Sequence, residues 1–170
     1  RMDLFGESIF TTIAKMRDER IKKGLNVVDL SIGAPNIAPS EHIRKVIAEE
    51  CLKPESYLYA IKDKDVLLKE VSHWYQRRYG VTLDKDNEIV SLLGSQEGLS
   101  HLSMTIINEG DTVLVPNPSY PIFRDGPLLA GARIVDMPLK KENNYLIDFS
   151  KINQEDAIRA KLMIVSYPNN

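Results

Sequence analysis

Four short apolar segments limit the fold most strongly: residues 89–93, 112–115, 133–137 and 162–166, each built around Val, Ile, Leu or Met. A strand with one wet face alternates polar and apolar residues, whereas short, mostly apolar and β-branched segments of this kind read as strands buried on both faces. Helical or mixed stretches, 96–108, 121–130 and 150–160, separate the four. Strands that alternate with helices need crossover connections, and crossovers make neighbouring strands parallel. The class expected is α/β, a mostly parallel sheet flanked by helices.

The first half carries a helical lead-in. Ile9, Ile13, Met16 and Arg20 fall at helical spacing within 6–23, with Phe10 and Ile21 beside the stripe, and Gly24 follows as a C-cap. Residues 27–32 read as a short strand broken by Gly33-Ala34-Pro35-Asn36. Ser40 then caps a helix with Ile43, Val46 and Ile47 on one side. A third helix over 64–79 groups Leu67, Val71 and Trp74 and stops at Gly80.

Composition removes several function classes. The 170 residues suffice for a sizeable core, with 43% apolar and 27% charged residues, which is the balance of a folded rather than a disordered chain. A net charge of −2 leaves no basic field to recruit nucleic acid or an anionic membrane, so neither is expected as a partner. The lone Cys51 makes neither an internal disulfide nor a cysteine-based zinc site, and it reads as a small buried hydrophobe. His42, His73 and His101 are scattered singly, without the paired spacing of a metal site. No apolar run has the length of a membrane span, and a reducing, cytoplasmic setting is expected.

Four loops hold residue types that can do chemistry. Gly94-Ser95-Gln96-Glu97-Gly98 lies between a buried strand and an apolar helix, where free backbone N–H groups and a hydroxyl suit a phosphate; a plain strand-to-helix turn also explains it. Pro116-Asn117-Pro118-Ser119-Tyr120-Pro121 follows the next strand and presents a stiffly held aromatic ring, fit to stack on a planar ligand or simply to pack. Tyr167-Pro168-Asn169-Asn170 follows the last strand and offers amide donors and acceptors, although Pro-Asn-Asn is also an ordinary turn. In Ser31-Ile32-Gly33-Ala34-Pro35-Asn36, Gly33 lets a ligand approach the backbone, or serves a turn.

The order and spacing of these loops, with "VVDLSIGAPN", "WYQRRYGV", "SLLGSQEGLSHL", "EGDTVLVPNPSYPIF" and "MIVSYPNN", resemble the class I/II aminotransferases of fold type I, closest to the aspartate, aromatic and LL-diaminopimelate branch. The resemblance runs over essentially the whole chain. It implies part of a pyridoxal-phosphate-transferase large domain: residues 1–39 as N-terminal arm and small-domain segment, and 40–170 as the first part of the large cofactor-binding domain of a truncated chain. Pyridoxal 5'-phosphate is the implied cofactor, and amino acids and 2-oxo acids are the implied substrates. The implied reaction moves an amino group between the two, in a homodimeric full-length protein.

Residue by residue, the resemblance implies that Ser95 and Gln96 hold the cofactor phosphate and Tyr120 stacks on the pyridine ring. Asn170 bonds the phenolic oxygen, and Gly33 lends backbone to a substrate carboxylate site. Tyr57 would reach the phosphate of a neighbouring subunit's cofactor. There the chain departs from the family, lacking the Gly usually found a few residues on, and Tyr59 rivals Tyr57. The family's Schiff-base lysine falls beyond Asn170, so no catalytic residue is assigned and the 170 residues alone are expected to be inactive. Two alternatives stay open: a carbon–sulfur lyase on the same fold, and a free-standing α/β phosphate-binding module.

Overall fold

The computed structural model describes residues 2–170, which divide by their contacts into two compact units, Glu7–Ser91 and Leu92–Asn170 with residues 2–6. The division at 39/40 read from the resemblance concerns the family's whole fold and is a proposal; contacts within this chain thin out between Ser91 and Leu92.

The Glu7–Ser91 unit is helical, with α1 (Ile9–Lys22), α2 (Glu41–Cys51) and α3 (Asp65–Tyr79). Helices begin where a side chain can satisfy an orphan N–H. Ser8 accepts from the Phe10 N–H, and Ser40, the cap the sequence leads one to expect, accepts from the Ile43 N–H. The apolar stripes stay at least partly exposed, and no residue of α1, α2 or α3 is fully buried. Cys51 is exposed, not the buried hydrophobe expected: it closes the last turn of α2, a helix with no buried residue.

Two expected strands are not formed. Residues 27–32 and 89–93 join no sheet, and side chains take the place of a ladder. Asp29 accepts from the Ser31 N–H at 2.9 Å and the Ser31 hydroxyl at 2.6 Å, while Arg17 Nη1 donates to it at 2.8 Å. Asp63 likewise accepts from the Ser91 N–H at 3.0 Å and from its hydroxyl. An apolar run records a preference for burial; a strand also needs a neighbour for its backbone groups.

The second unit holds α4 (Ser95–Ile106), β1 (Thr112–Asn117), α5 (Ile122–Ala130), β2 (Arg133–Pro138), α6 (Gln154–Arg159) and β3 (Ala160–Met163). The sheet is parallel throughout, in the order β2-β1-β3. Thr112 pairs with Arg133 and Asn117 with Pro138, in unbroken register. Against β3 the register slips once, between Thr112 and Val113, and the Ile164 N–H extends the pairing to the Leu114 carbonyl at 2.9 Å.

β1 is the centre of the core. Val113 and Val115 face one side with Ile107 and Ala132; Leu114 faces the other with Met137, Leu139 and Ile147. All three β1 residues are at most 1% exposed, so their burial stabilises the fold by about 1.5–3 kcal/mol apiece. On one side α4 and α5 pack closely: a Cβ on Gly126 would sit 3.3 Å from the Ser100 Cα and 3.4 Å from the Ser103 Oγ. Only glycine at 126 lets the helices meet at that distance without displacement.

Candidate functional site

Three loops gather at the C-terminal end of this sheet, the end at which open α/β sheets carry their ligand groups. The first is the start of α4. Gly94, its N-cap, has φ +90°, a conformation an L side chain rarely adopts, and no side chain caps the helix there. The Glu97 N–H bonds back to the Gly94 carbonyl at 3.2 Å, and the Glu97 carboxylate accepts from the Leu93 N–H at 2.6 Å. The N–H groups of Ser95 and Gln96, first in the helix, have no intrahelical acceptor by geometry, and the helix dipole adds positive potential beside them. An anion of phosphate size fits that donor set.

The second loop, residues 117–121, leaves β1 and enters α5. Its Tyr120 is half-buried, edge-on to Phe123 at a centroid distance of 6.3 Å. The Gln96 side-chain amide donates to the Tyr120 hydroxyl at 2.7 Å, which ties the start of α4 to the loop after β1. With one side-chain N–H engaged there, Gln96 keeps a backbone N–H without an intrahelical acceptor, and Ser95 adds a hydroxyl to the same helix start.

The third loop follows β3. The Asn169 side-chain amide donates to the Pro118 carbonyl at 3.2 Å, fastening this loop to the one that bears Tyr120. Asn170 donates its backbone N–H to the Ser166 Oγ at 3.4 Å. The Tyr167 hydroxyl accepts from the Ile147 N–H at 2.8 Å. Hydrogen bonds thus link Gln96 to Tyr120, and Asn169 to the same loop. The sequence marked these loops but not the roles of Asn169 and Tyr167, because Pro-Asn-Asn does not say which amide binds protein and which faces outward.

Beside Tyr120, a cleft of about 190 Å³ is lined by Asn117, Ser119, Arg124, Asp125 and Asp136, among others. Arg124 pairs with Asp136 at 2.6 Å across it. Burial raises the Asp125 carboxyl above its ordinary value, and the Arg124 charge only partly offsets that.

Gly33 and Tyr57 lie in the other unit. Gly33 is exposed, with open space where a side chain would start. The Arg17–Asp29–Ser31 network holds the backbone just ahead of it, and those bonds keep the Asp29 carboxyl far below the usual carboxylate range. Tyr57 donates its hydroxyl to the Cys51 carbonyl at 2.6 Å, while Tyr59 is 90% exposed. Among the described residues, no three His, Cys, Asp or Glu side chains cluster as metal ligands, and no helix is long and apolar enough to cross a membrane.

The family profile described as aminotransferase class I and II matches residues 26–170. The LL-diaminopimelate aminotransferase of Aquifex aeolicus is 35% identical over all of this chain and 44% of its own length. That of Moorella thermoacetica is 39% identical over 95% of this chain and 42% of its own. Among solved structures, apo-BacF from Bacillus subtilis superposes with a TM-score of 0.86 at 34% identity, covering 98% of this chain and 42% of that one. A probable N-succinyldiaminopimelate aminotransferase from Thermus thermophilus gives 0.85 at 33% identity, covering 96% and 44%. The chain therefore spans less than half the length of the proteins it matches. With the family profile matching most of its residues, and relatives similar from end to end of it, the chain belongs to the class I and II aminotransferases.

Proposed function

We propose that this chain forms the phosphate-holding and ring-holding part of a pyridoxal 5'-phosphate-dependent aminotransferase, which moves an amino group between an amino acid and a 2-oxo acid. The observation that carries the reading is the hydrogen bond from Gln96 to Tyr120. It joins an anion-binding helix start to an aromatic ring, and a phosphate linked to a planar ring needs both at once.

When bound, the cofactor supplies an electron-withdrawing ring that stabilises negative charge at the carbon bearing the amino group. The chain's own residues bind and orient. Ser95, through its hydroxyl and N–H, and Gln96, through its N–H, take the phosphate charge. The Gln96 amide fixes the tilt of Tyr120, whose ring covers one face of the planar group and excludes water from it. Asn170 donates its amide to the phenolic oxygen and favours the deprotonated form there. Gly33 lends backbone to the substrate carboxylate, and Tyr57 reaches the phosphate held by a second subunit in a homodimer. Relatives named for LL-diaminopimelate make that diamino acid the first donor to test, paired with 2-oxoglutarate; the cytoplasm is the proposed setting.

Pyridoxamine 5'-phosphate is the suitable probe, since it carries the same phosphate, ring and phenol but no aldehyde to react with surface lysines. Titrated into the chain, it should bind saturably. Ser95→Asp, which places a negative charge where the phosphate sits, should weaken binding at least tenfold. Equal binding by Ser95→Asp, or no saturable binding by the parent chain, would overturn the reading.

A further inference from the structure

The loop that carries Asn170 is held at two separate points, and neither hydrogen bond involves Asn170 itself. At one point the Tyr167 hydroxyl accepts from the Ile147 N–H at 2.8 Å. Ile147 is 7% exposed and packs with Leu114, Met137 and Leu139, so this anchor belongs to the core under the sheet. The anchor is reached by an unusual route. Leaving β2, the chain turns through Lys141–Asn143, takes left-handed conformations at Asn144 and Tyr145 (φ +51° and +57°), and returns so that Ile147 bridges Leu139. Two successive non-glycine residues at positive φ cost backbone energy, which the surrounding contacts must outweigh. The excursion delivers the Ile147 N–H to Tyr167.

At the other point the Asn169 amide donates to the Pro118 carbonyl at 3.2 Å, two residues before Tyr120. Asn170 follows directly, with its backbone N–H bound to Ser166 and, among the described residues, no side-chain tie of its own. We infer that Tyr167 and Asn169 are positioning residues for Asn170: Tyr167 fixes the loop against the core, Asn169 fixes its distance from the Tyr120 loop, and together they aim the Asn170 amide at the ring's phenolic oxygen. Hydrogen bonds weaken steeply with misalignment, so a side-chain amide on a loop donates well only if the loop backbone is held first.

This inference rests on the cofactor reading above, and the test separates the two. Pyridoxamine 5'-phosphate is bound to the parent chain and to Asn170→Ala, Asn169→Leu and Tyr167→Phe. The ring absorbance is then followed against pH to obtain the phenol pKa in the bound state. A donated amide bond holds that pKa down, so Asn170→Ala should raise it. Asn169→Leu and Tyr167→Phe each remove one bond at almost unchanged size and unchanged charge; each should raise it in the same direction and weaken binding about 2–10-fold, the worth of one hydrogen bond. The phosphorus-31 shift of the bound phosphate should stay at its parental value, since the start of α4 is untouched. If Asn170→Ala raises the pKa while both other variants titrate like the parent chain, the positioning role is wrong and the cofactor site stands. If Asn170→Ala itself changes nothing, or the parent chain does not bind, the cofactor reading fails and this inference with it. Circular dichroism identifies a variant that does not fold; the other, acting at a different anchor, then decides.

Discussion

A positive φ at Gly94 and a half-buried carboxyl at Asp125 are the two single-residue features with the clearest consequences. Gly94 has open space where a Cβ would go, so a side chain there meets no clash, only its own backbone at φ +90°. Gly94→Val should therefore destabilise the second unit by about 1–3 kcal/mol, read by urea unfolding, and should also weaken binding of the phosphate probe. Unchanged values on both counts would show that the start of α4 does not depend on that conformation. Asp125 is half-buried in the first turn of α5, and burial raises its pKa. An acid with a folded pKa above its unfolded value costs stability above the folded pKa and nothing below the unfolded one, near 3.9. Asp125→Asn should thus raise the melting temperature at pH 7 and lose that advantage below about pH 3.5, where both side chains are neutral. A lower melting temperature at pH 7 would count against burial as the dominant effect.

At the scale of elements, the contact between α4 and α5 shows how pattern and packing divide the work. The stretches 96–108 and 121–130 are legible in the sequence as helical or mixed separators of strands, and the Ser40 cap marks where another helix begins. What the spacing does not show is that Gly126 faces Ser100 and Ser103 across a gap too narrow for a branched side chain. Gly126→Val should overpack this contact and cost about 1–3 kcal/mol in denaturant unfolding. The helical content of the isolated peptide 122–130 should not fall by the glycine change alone, since valine is the better helix former of the two. A variant as stable as the parent would mean that the helices part without cost. The absent strands at 27–32 and 89–93 teach the complementary point. Their residues favour strand conformation, but Asp29 and Asp63 take the hydrogen bonds that a neighbouring strand would have taken.

For the whole molecule, distant stretches are tied by charge as well as by core. Asp111 accepts from the Asn108 N–H at 2.7 Å, closing the turn between α4 and β1, and pairs at 3.0 Å with Lys161 on β3, fifty positions away. These bonds, the backbone one first, hold its pKa below the ordinary value. A depressed carboxylate contributes stability above its unfolded pKa and loses it as pH falls through the folded one. Asp111→Asn should therefore lower the melting temperature at pH 7, with the difference closing as pH drops below about 4. A gap that persists at pH 2 would show that geometry rather than charge matters there. The same scale separates what the sequence determined from what the tertiary structure decided. The apolar runs at 112–115 and 133–137 and the helical stripes determined an α/β chain with parallel strands, because burial preference and periodicity are local properties written residue by residue. The motifs also marked the loops holding Ser95, Gln96, Tyr120 and Asn170. Which runs found partners, that the Gln96 amide turns to Tyr120, and that Asn169 and Tyr167 hold the last loop were decided only in three dimensions. Each of those bonds joins residues twenty or more positions apart, and no local pattern encodes the distance between them.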